Sequence, residues 1–197
     1  MKSLLPILLF SAITLGQTPA SARPTQPPEP YHVKKDVLGE SLSLYRLNNP
    51  ECTEKEPISG VANFYQAKDT GKWHGQCMVS EELGGAPGSY ADLPVTIKSA
   101  MFEEDRFVFL QLFMKHVFYP LLRDNLIAKF GEPTSRATEE VQNKMGARVA
   151  SASLIWDNGV SSIHLSEYGG GLETLTLSFA MDDYMKAKPL SKPSKDM

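Results

Sequence analysis

Histidine, cysteine, serine and paired carboxylates are the residue types through which this chain could do chemistry, and their spacing is sparse. The four histidines, His32, His74, His116 and His164, stand at neither H-x-x-x-H nor H-E-x-x-H spacing. No Cys or carboxylate completes a ligand cluster around them, so the pattern assigns no metal site. His164 lies between Ile163 and Leu165 in an alternating stretch. It therefore points to the face opposite them, as a solvent-facing or partner-facing polar residue. In Trp73-His74-Gly75-Gln76-Cys77 a His precedes a Cys by three residues. Catalytic Cys and His groups meet through the fold rather than through such local spacing, so packing around a disulfide is the simpler reading.

Cys52 and Cys77 are the only cysteines. In an exported chain two cysteines read most simply as one disulfide, with a free or catalytic thiol as the alternative. Closing that loop removes about 3.5 kcal/mol of chain entropy from the unfolded state. The serines include no G-x-S-x-G elbow. Gly169-Gly170-Gly171 leads into an alternating segment, which suits a turn; a phosphate loop needs a helix N-terminus there. Asp182-Asp183, with Glu167 or Glu173 as companions, reads as a solvated end of a strand. The sequence thus assigns no catalytic residue and no cofactor.

The segment before this machinery gives the chain an address. Lys2 precedes the apolar run Leu4–Phe10, which continues to Leu15 and ends in Ala20-Ser21-Ala22. A charged start, an apolar middle and a small-x-small ending make a secretory signal peptide over residues 1–22. The apolar run is shorter than the roughly 20 residues of a membrane span, and no Cys follows it to carry a lipid. Cleavage leaves 175 of the 197 residues and, with Lys2 gone, moves the formal net charge from −3 to −4. That balance lacks the basic excess of nucleic-acid binders. Cleavage leaves no stable membrane anchor, and for an exported chain the expected partner is an envelope or secreted protein. No Asn-x-Ser/Thr sequon occurs, which is compatible with a periplasmic or extracellular location.

Residues 23–30 form a proline-rich leader and residues 186–197 a lysine- and proline-bearing tail, both expected to be disordered. A single domain over 31–185 lies between them. Residues 39–47 predict a short helix stopped by Asn48-Asn49-Pro50. Short strands fit 59–65 and 75–79 within a turn-rich stretch, 53–94. Alternation from Val95 to Ala100, the turn 103–106 and the apolar run 107–114 predict a hairpin whose second strand is buried on both faces. Phe118, Leu121, Leu122, Leu126 and Phe130 form a helical stripe over 116–130, stopped by Gly131 and Pro133. A charged helix fits 139–145. Strands over 149–157 and 160–166 flank Asn158-Gly159, suited to a two-residue hairpin turn. The last strand, 172–181, alternates cleanly.

Tight turns make neighbouring strands antiparallel. The expected fold class is α+β, an antiparallel sheet of about five strands with one or two helices on one face. Phe107, Phe109 and Phe113 share one parity on their strand. They mark either a centre packed on both sides or, where one sheet face is bare, a surface for a partner.

Leu38-Gly39-Glu40-Ser41, Pro50-Glu51-Cys52, Lys129-Phe130-Gly131-Glu132-Pro133 and Trp156 together resemble a group of small exported bacterial α+β domains. In these a Leu-Gly-x-Ser helix start precedes a Pro-x-Cys segment, and a later helix ends in Lys-Phe-Gly-x-Pro before a Trp-bearing hairpin. The architecture is also similar to the BamE-type outer-membrane assembly lipoprotein and to β-lactamase-inhibitor proteins, although the chain lacks the lipid-bearing Cys of the first. The resemblance implies protein binding in the envelope rather than catalysis, and carries over no site residues. The expected function is therefore that of an exported, non-enzymatic, protein-binding or envelope-associated domain. The alternative is a small secreted hydrolase whose groups meet only in the fold, with His74 or His164 as first suspects.

Overall fold

The helix expected over 39–47 starts three residues later, because Ser41 caps it. In the computed structural model, which describes residues 28–52, 60–142 and 146–187, the Ser41 hydroxyl accepts the Leu44 amide and α1 runs Leu42–Asn48. A side-chain acceptor at this position satisfies an amide that the helix itself leaves unpaired. The helix stops at Asn49, and a 3-10 turn, Pro50–Cys52, brings Cys52 over the sheet. Cys52 and Cys77 form a disulfide with their Cα atoms 5.6 Å apart, and both are buried. The expected signal segment, most of the leader and the end of the tail lie outside the described residues.

The fold is α+β, with a large antiparallel sheet and few helices. The main sheet has eight strands rather than about five, in the order β3-β4-β7-β8-β12-β11-β10-β9. These are β3 (Gly60–Gln66), β4 (Trp73–Ser80), β7 (Ile97–Glu103), β8 (Arg106–Lys115), β9 (Ser135–Gln142), β10 (Arg148–Asp157), β11 (Ser161–Ser166) and β12 (Thr174–Met181). Two small hairpins stand apart from it, β1 (His32–Val33) with β2 (Asp36–Val37) and β5 (Ser89–Tyr90) with β6 (Leu93–Pro94). Three further strands account for the difference. β3 and β4 join the sheet from the turn-rich stretch, and β9 pairs with β10 through eight residue pairs.

β9 overturns the helix expected over 139–145: residues 139–142 are strand, and 143–145 lie outside the described residues. Nearly all of β9 is exposed, so no alternation of apolar and polar residues marks it. Its charged residues have respectable helix propensity, which main-chain pairing to β10 overrides. The turn at Asn158-Gly159 is also longer than two residues. Asp157 pairs with Ser162, and Asn158 Oδ1 accepts the amides of Val160 and Ser161, while Gly159 takes the positive φ of 82°. The Asn side chain thus builds the loop by itself capturing main-chain donors.

Following the register across the sheet separates its two faces. One carries Ala100, Phe102, Phe107, Leu110, Leu112, Leu177, Phe179, Ile163, Leu165, Leu154 and Trp156, all buried. Tyr45 of α1 packs on Phe102 and Phe107, each with ring centroids 4.9 Å away. Tyr90 meets Phe179 edge-on at 5.7 Å. The second helix, α2 (Tyr119–Phe130), has its proline in the first turn, where no amide donor is needed, and ends at Gly131 with φ 80°. Trp156 donates its indole N–H to the Gly131 carbonyl at 2.8 Å and locks that end to the sheet. The buried stripe of α2 is Tyr119, Leu122 and Leu126; Leu121, expected within it, is 53% exposed. A three-seven spacing from Tyr119 replaces the one from Phe118.

The N-terminal segment closes the same face. Lys98 of β7 reaches Asp36 of β2 at 2.6 Å and the Asn49 side-chain Oδ1 at 2.9 Å, and the Asn49 side-chain amide donates to the other Asp36 oxygen at 2.9 Å. At the end of the proline-rich leader, the Glu29 carbonyl accepts from Asn158 and the Tyr31 amide donates to Ser161, so residues 29–31 are tied to the β10–β11 turn. A third helix, α3 (Asp182–Ala187), follows β12 directly and carries order two residues beyond the expected boundary at 185.

Candidate binding face

A bulge at Val108 decides which aromatic rings reach the second face. Met101 pairs with Phe109, yet Phe102 pairs with Phe107, so one β8 residue is extra. Cross-strand partners share a face, and Met101 and Phe102 are consecutive. Phe107 and Phe109 therefore lie on opposite faces, and the common face expected for Phe107, Phe109 and Phe113 is divided. Phe107 is fully buried under α1. Phe109 is 5% exposed beneath Tyr184 of α3, with centroids 5.7 Å apart. Phe113 is half-buried and faces the side that α1 and α2 do not cover.

That side is bounded at two ends. At one, Tyr184 lies over Phe109 and its hydroxyl donates to the Met101 sulfur at 3.6 Å, while Asp183 pairs with Arg106. The Arg106 hydrogen bond holds the Asp183 carboxyl below its ordinary range. At the other, the β11–β12 turn folds back on the sheet. A Cβ on Gly169 would come 1.9 Å from Thr176 Oγ1, and one on Gly170 would touch the Phe113 ring at 3.5 Å. Glycine is needed at 169 because the turn lies flush on Thr176.

Between these borders one register row crosses six strands: Met78, Ser99, Gln111, Ser178, His164 and Ile155. Neighbours in such a row stand one strand spacing apart, about 4.8 Å. Ser178 is 5% exposed between Gln111 and His164, whereas the rest of the row is half-buried. The strip thus mixes hydroxyl, amide and imidazole groups with Met78, Ile155 and, in the next row, Ile97 and Phe113. Burial pushes the His164 imidazole below its ordinary value, with Asp157 opposing, and so favours the neutral ring. Sequence alternation placed His164 on this face correctly. Its neighbours across the strip depend on strand order and register, which no local pattern carries.

The strip runs out, at the β3 edge, into two adjoining clefts. One of about 590 Å³ is lined by Tyr65, Lys72, His74, Glu103, Glu104 and Arg106. The other, about 220 Å³, is lined by Asn63, Gln76, Met101 and Phe102 among others. Tyr65 stacks on His74 with centroids 5.5 Å apart and planes 15° from parallel. Lys72 pairs with Glu104 at 2.9 Å and holds that carboxyl below its usual range. Trp73 turns to the helix-bearing side, where the Arg46 guanidinium lies over both Phe64 and Trp73. Cys77, three residues on, is consumed in the disulfide, so His74 has no thiol to activate.

A hydrogen-bonded His–carboxylate pair stands elsewhere, and the sequence did not single it out. His116 Nε2 lies 3.3 Å from Glu167 Oε1, and the ring stacks on Tyr168 at 4.4 Å. The other Glu167 oxygen accepts the Ala152 amide. The pair clasps the start of the α2 segment to the β11–β12 turn. His32 sits in the β1–β2 hairpin, so the four histidines occupy four separate places. Among the described residues no group of three or more His, Cys, Asp or Glu side chains stands close enough to hold a metal ion. No described helix is long and apolar enough to cross a membrane. Asp182 and Asp183 open α3, and Glu173 contributes its carbonyl to the His116 amide.

No family model, curated protein or solved structure matches this chain.

Proposed function

We propose that the protein is exported and acts without chemistry of its own, binding a protein of the cell envelope on the sheet face that α1 and α2 do not cover. The observation that carries this reading is the strip between α3 and the glycine turn. There Met78, Ile97, Phe113 and Ile155 stand half-buried beside Ser99, Gln111 and His164. A sheet face that mixes apolar and hydrogen-bonding groups within each row suits a protein surface of the same make-up. The signal-like start of the chain and the buried disulfide support export, and the resemblance to small exported α+β domains agrees with binding.

The catalytic alternative has its best footing at His116 and Glu167, because they are within hydrogen-bond reach. Glu167 is already engaged by the Ala152 amide, and the His116 ring lies near-parallel to Tyr168 at 4.4 Å and to Tyr119 at 6.3 Å. This arrangement favours a clasp over a proton-transfer site. Affinity capture from envelope extracts tests the binding reading. A stoichiometric partner that is retained by the wild type and lost with Phe113→Glu supports it. Capture that is indifferent to Phe113→Glu overturns it.

A further inference from the structure

We infer that the paired clefts at the β3 edge form a carbohydrate-binding site for a neutral oligosaccharide, separate from the protein-binding strip. Three observations converge on this ligand class. First, Tyr65 is 61% exposed yet held against His74 on adjacent strands, so a flat aromatic surface faces solvent at fixed orientation. One exposed aromatic alone means little; this one rims a cleft of about 590 Å³ that continues into another of about 220 Å³. Both clefts are open to solvent, as suits an extended ligand lying along the sheet edge rather than one enclosed in a pocket. The electron-rich face of an aromatic ring complements the C–H face of a pyranose.

Second, the walls carry groups that both donate to and accept from hydroxyls. Asn63 and Gln76 face each other across β3 and β4, and Glu103 lies on the same side of β7. Amides and carboxylates at strand spacing match the alternating donors and acceptors of a sugar's vicinal hydroxyls. Third, the cations at the site are already neutralised. Lys72 is paired with Glu104 and Arg106 with Asp183. A phosphate or polyanion would have to break one of these pairs to reach a cation, and a cationic ligand would have to break one to reach Glu104 or Asp183. An uncharged polyhydroxylated ligand meets neither cost.

Isothermal titration of the purified protein with tetramers of glucose and of N-acetylglucosamine tests the assignment, with inorganic phosphate as the anionic control. Binding of at least one tetramer is expected. Tyr65→Ala should weaken it at least tenfold and Asn63→Ala about threefold, while Tyr65→Phe and Phe113→Glu leave it unchanged. Circular dichroism melts of each variant separate lost binding from lost fold. The proposal is overturned when neither tetramer binds at millimolar concentration, when Tyr65→Ala binds as wild type does, or when phosphate competes. Loss of partner capture in Phe113→Glu reports on the protein-binding strip alone, so the two readings fail separately.

Discussion

Replacing Lys98 by Met should expose how the N-terminal segment is held to the sheet. The ammonium lies 2.6 Å from Asp36, 2.9 Å from the Asn49 oxygen and 5.4 Å from the centre of the Tyr45 ring. The two charged side chains retain only 13% and 4% of their exposure. Met matches the Lys stem in length, so the packing beside Leu112 and Val79 survives while Asp36 loses its counter-charge. Uncovering one partner of a buried pair costs about 3–5 kcal/mol. Asn49 continues to donate to Asp36, which places the expected loss near the lower end, about 3 kcal/mol, or a fall in Tm of roughly 6–12 °C for a domain of this size. Lys98→Met combined with Asp36→Asn removes both charges and should recover most of the loss, giving a coupling of about 2 kcal/mol. Urea unfolding followed by the fluorescence of Trp73 and Trp156, with circular dichroism as a second probe, measures each corner of the cycle. A single-variant loss below about 1 kcal/mol, or a double variant as unstable as the summed singles, would refute the reasoning.

Three other outcomes follow from the same structure. Cys52→Ala with Cys77→Ala should lower stability by about 3.5 kcal/mol, the chain entropy of the loop they close, measured by denaturant unfolding. Gly75→Ala should disrupt the β3–β4 pairing, because its Cβ would lie 2.0 Å from the Asn63 carbonyl oxygen at a φ of 140°; faster amide exchange confined to β3 and β4 is the expected signature, and wild-type protection there would contradict it. His164 has a depressed pKa in the folded protein, so the unfolded chain takes up its proton first as pH falls. Stability should therefore decline below about pH 6.5, the ordinary histidine value, down to the folded pKa. Thermal melts should show that decline reduced in His164→Gln, and an unchanged pH profile would count against burial as its cause.

What could be read from the sequence was local. Gly131 ahead of Pro133 and the alternation of Leu175, Leu177, Phe179 and Met181 each mark structure through residues a few positions apart, and each stands where expected. β9 was illegible because an edge strand wet on both sides has no apolar face to alternate. The bulge at Val108 was illegible for a different reason. Phe107, Val108 and Phe109 are all apolar, so a slip in parity leaves the hydrophobic pattern intact while sending Phe107 and Phe109 to opposite faces. The clefts combine the same difficulty with distance. Tyr65, His74, Glu103 and Arg106 meet through the β3-β4-β7-β8 order, and register alone sets them side by side.

In the proposed function the partner sits on the sheet face that α1 and α2 do not cover, not on the helix-bearing side. Quantitative capture from envelope extracts with the wild type, Phe113→Glu on the former face and Leu47→Glu on α1, where Leu47 is 79% exposed, tests it directly. One stoichiometric partner, retained by the wild type and Leu47→Glu and lost by Phe113→Glu, is the expected result. A partner lost with Leu47→Glu but kept by Phe113→Glu would contradict it.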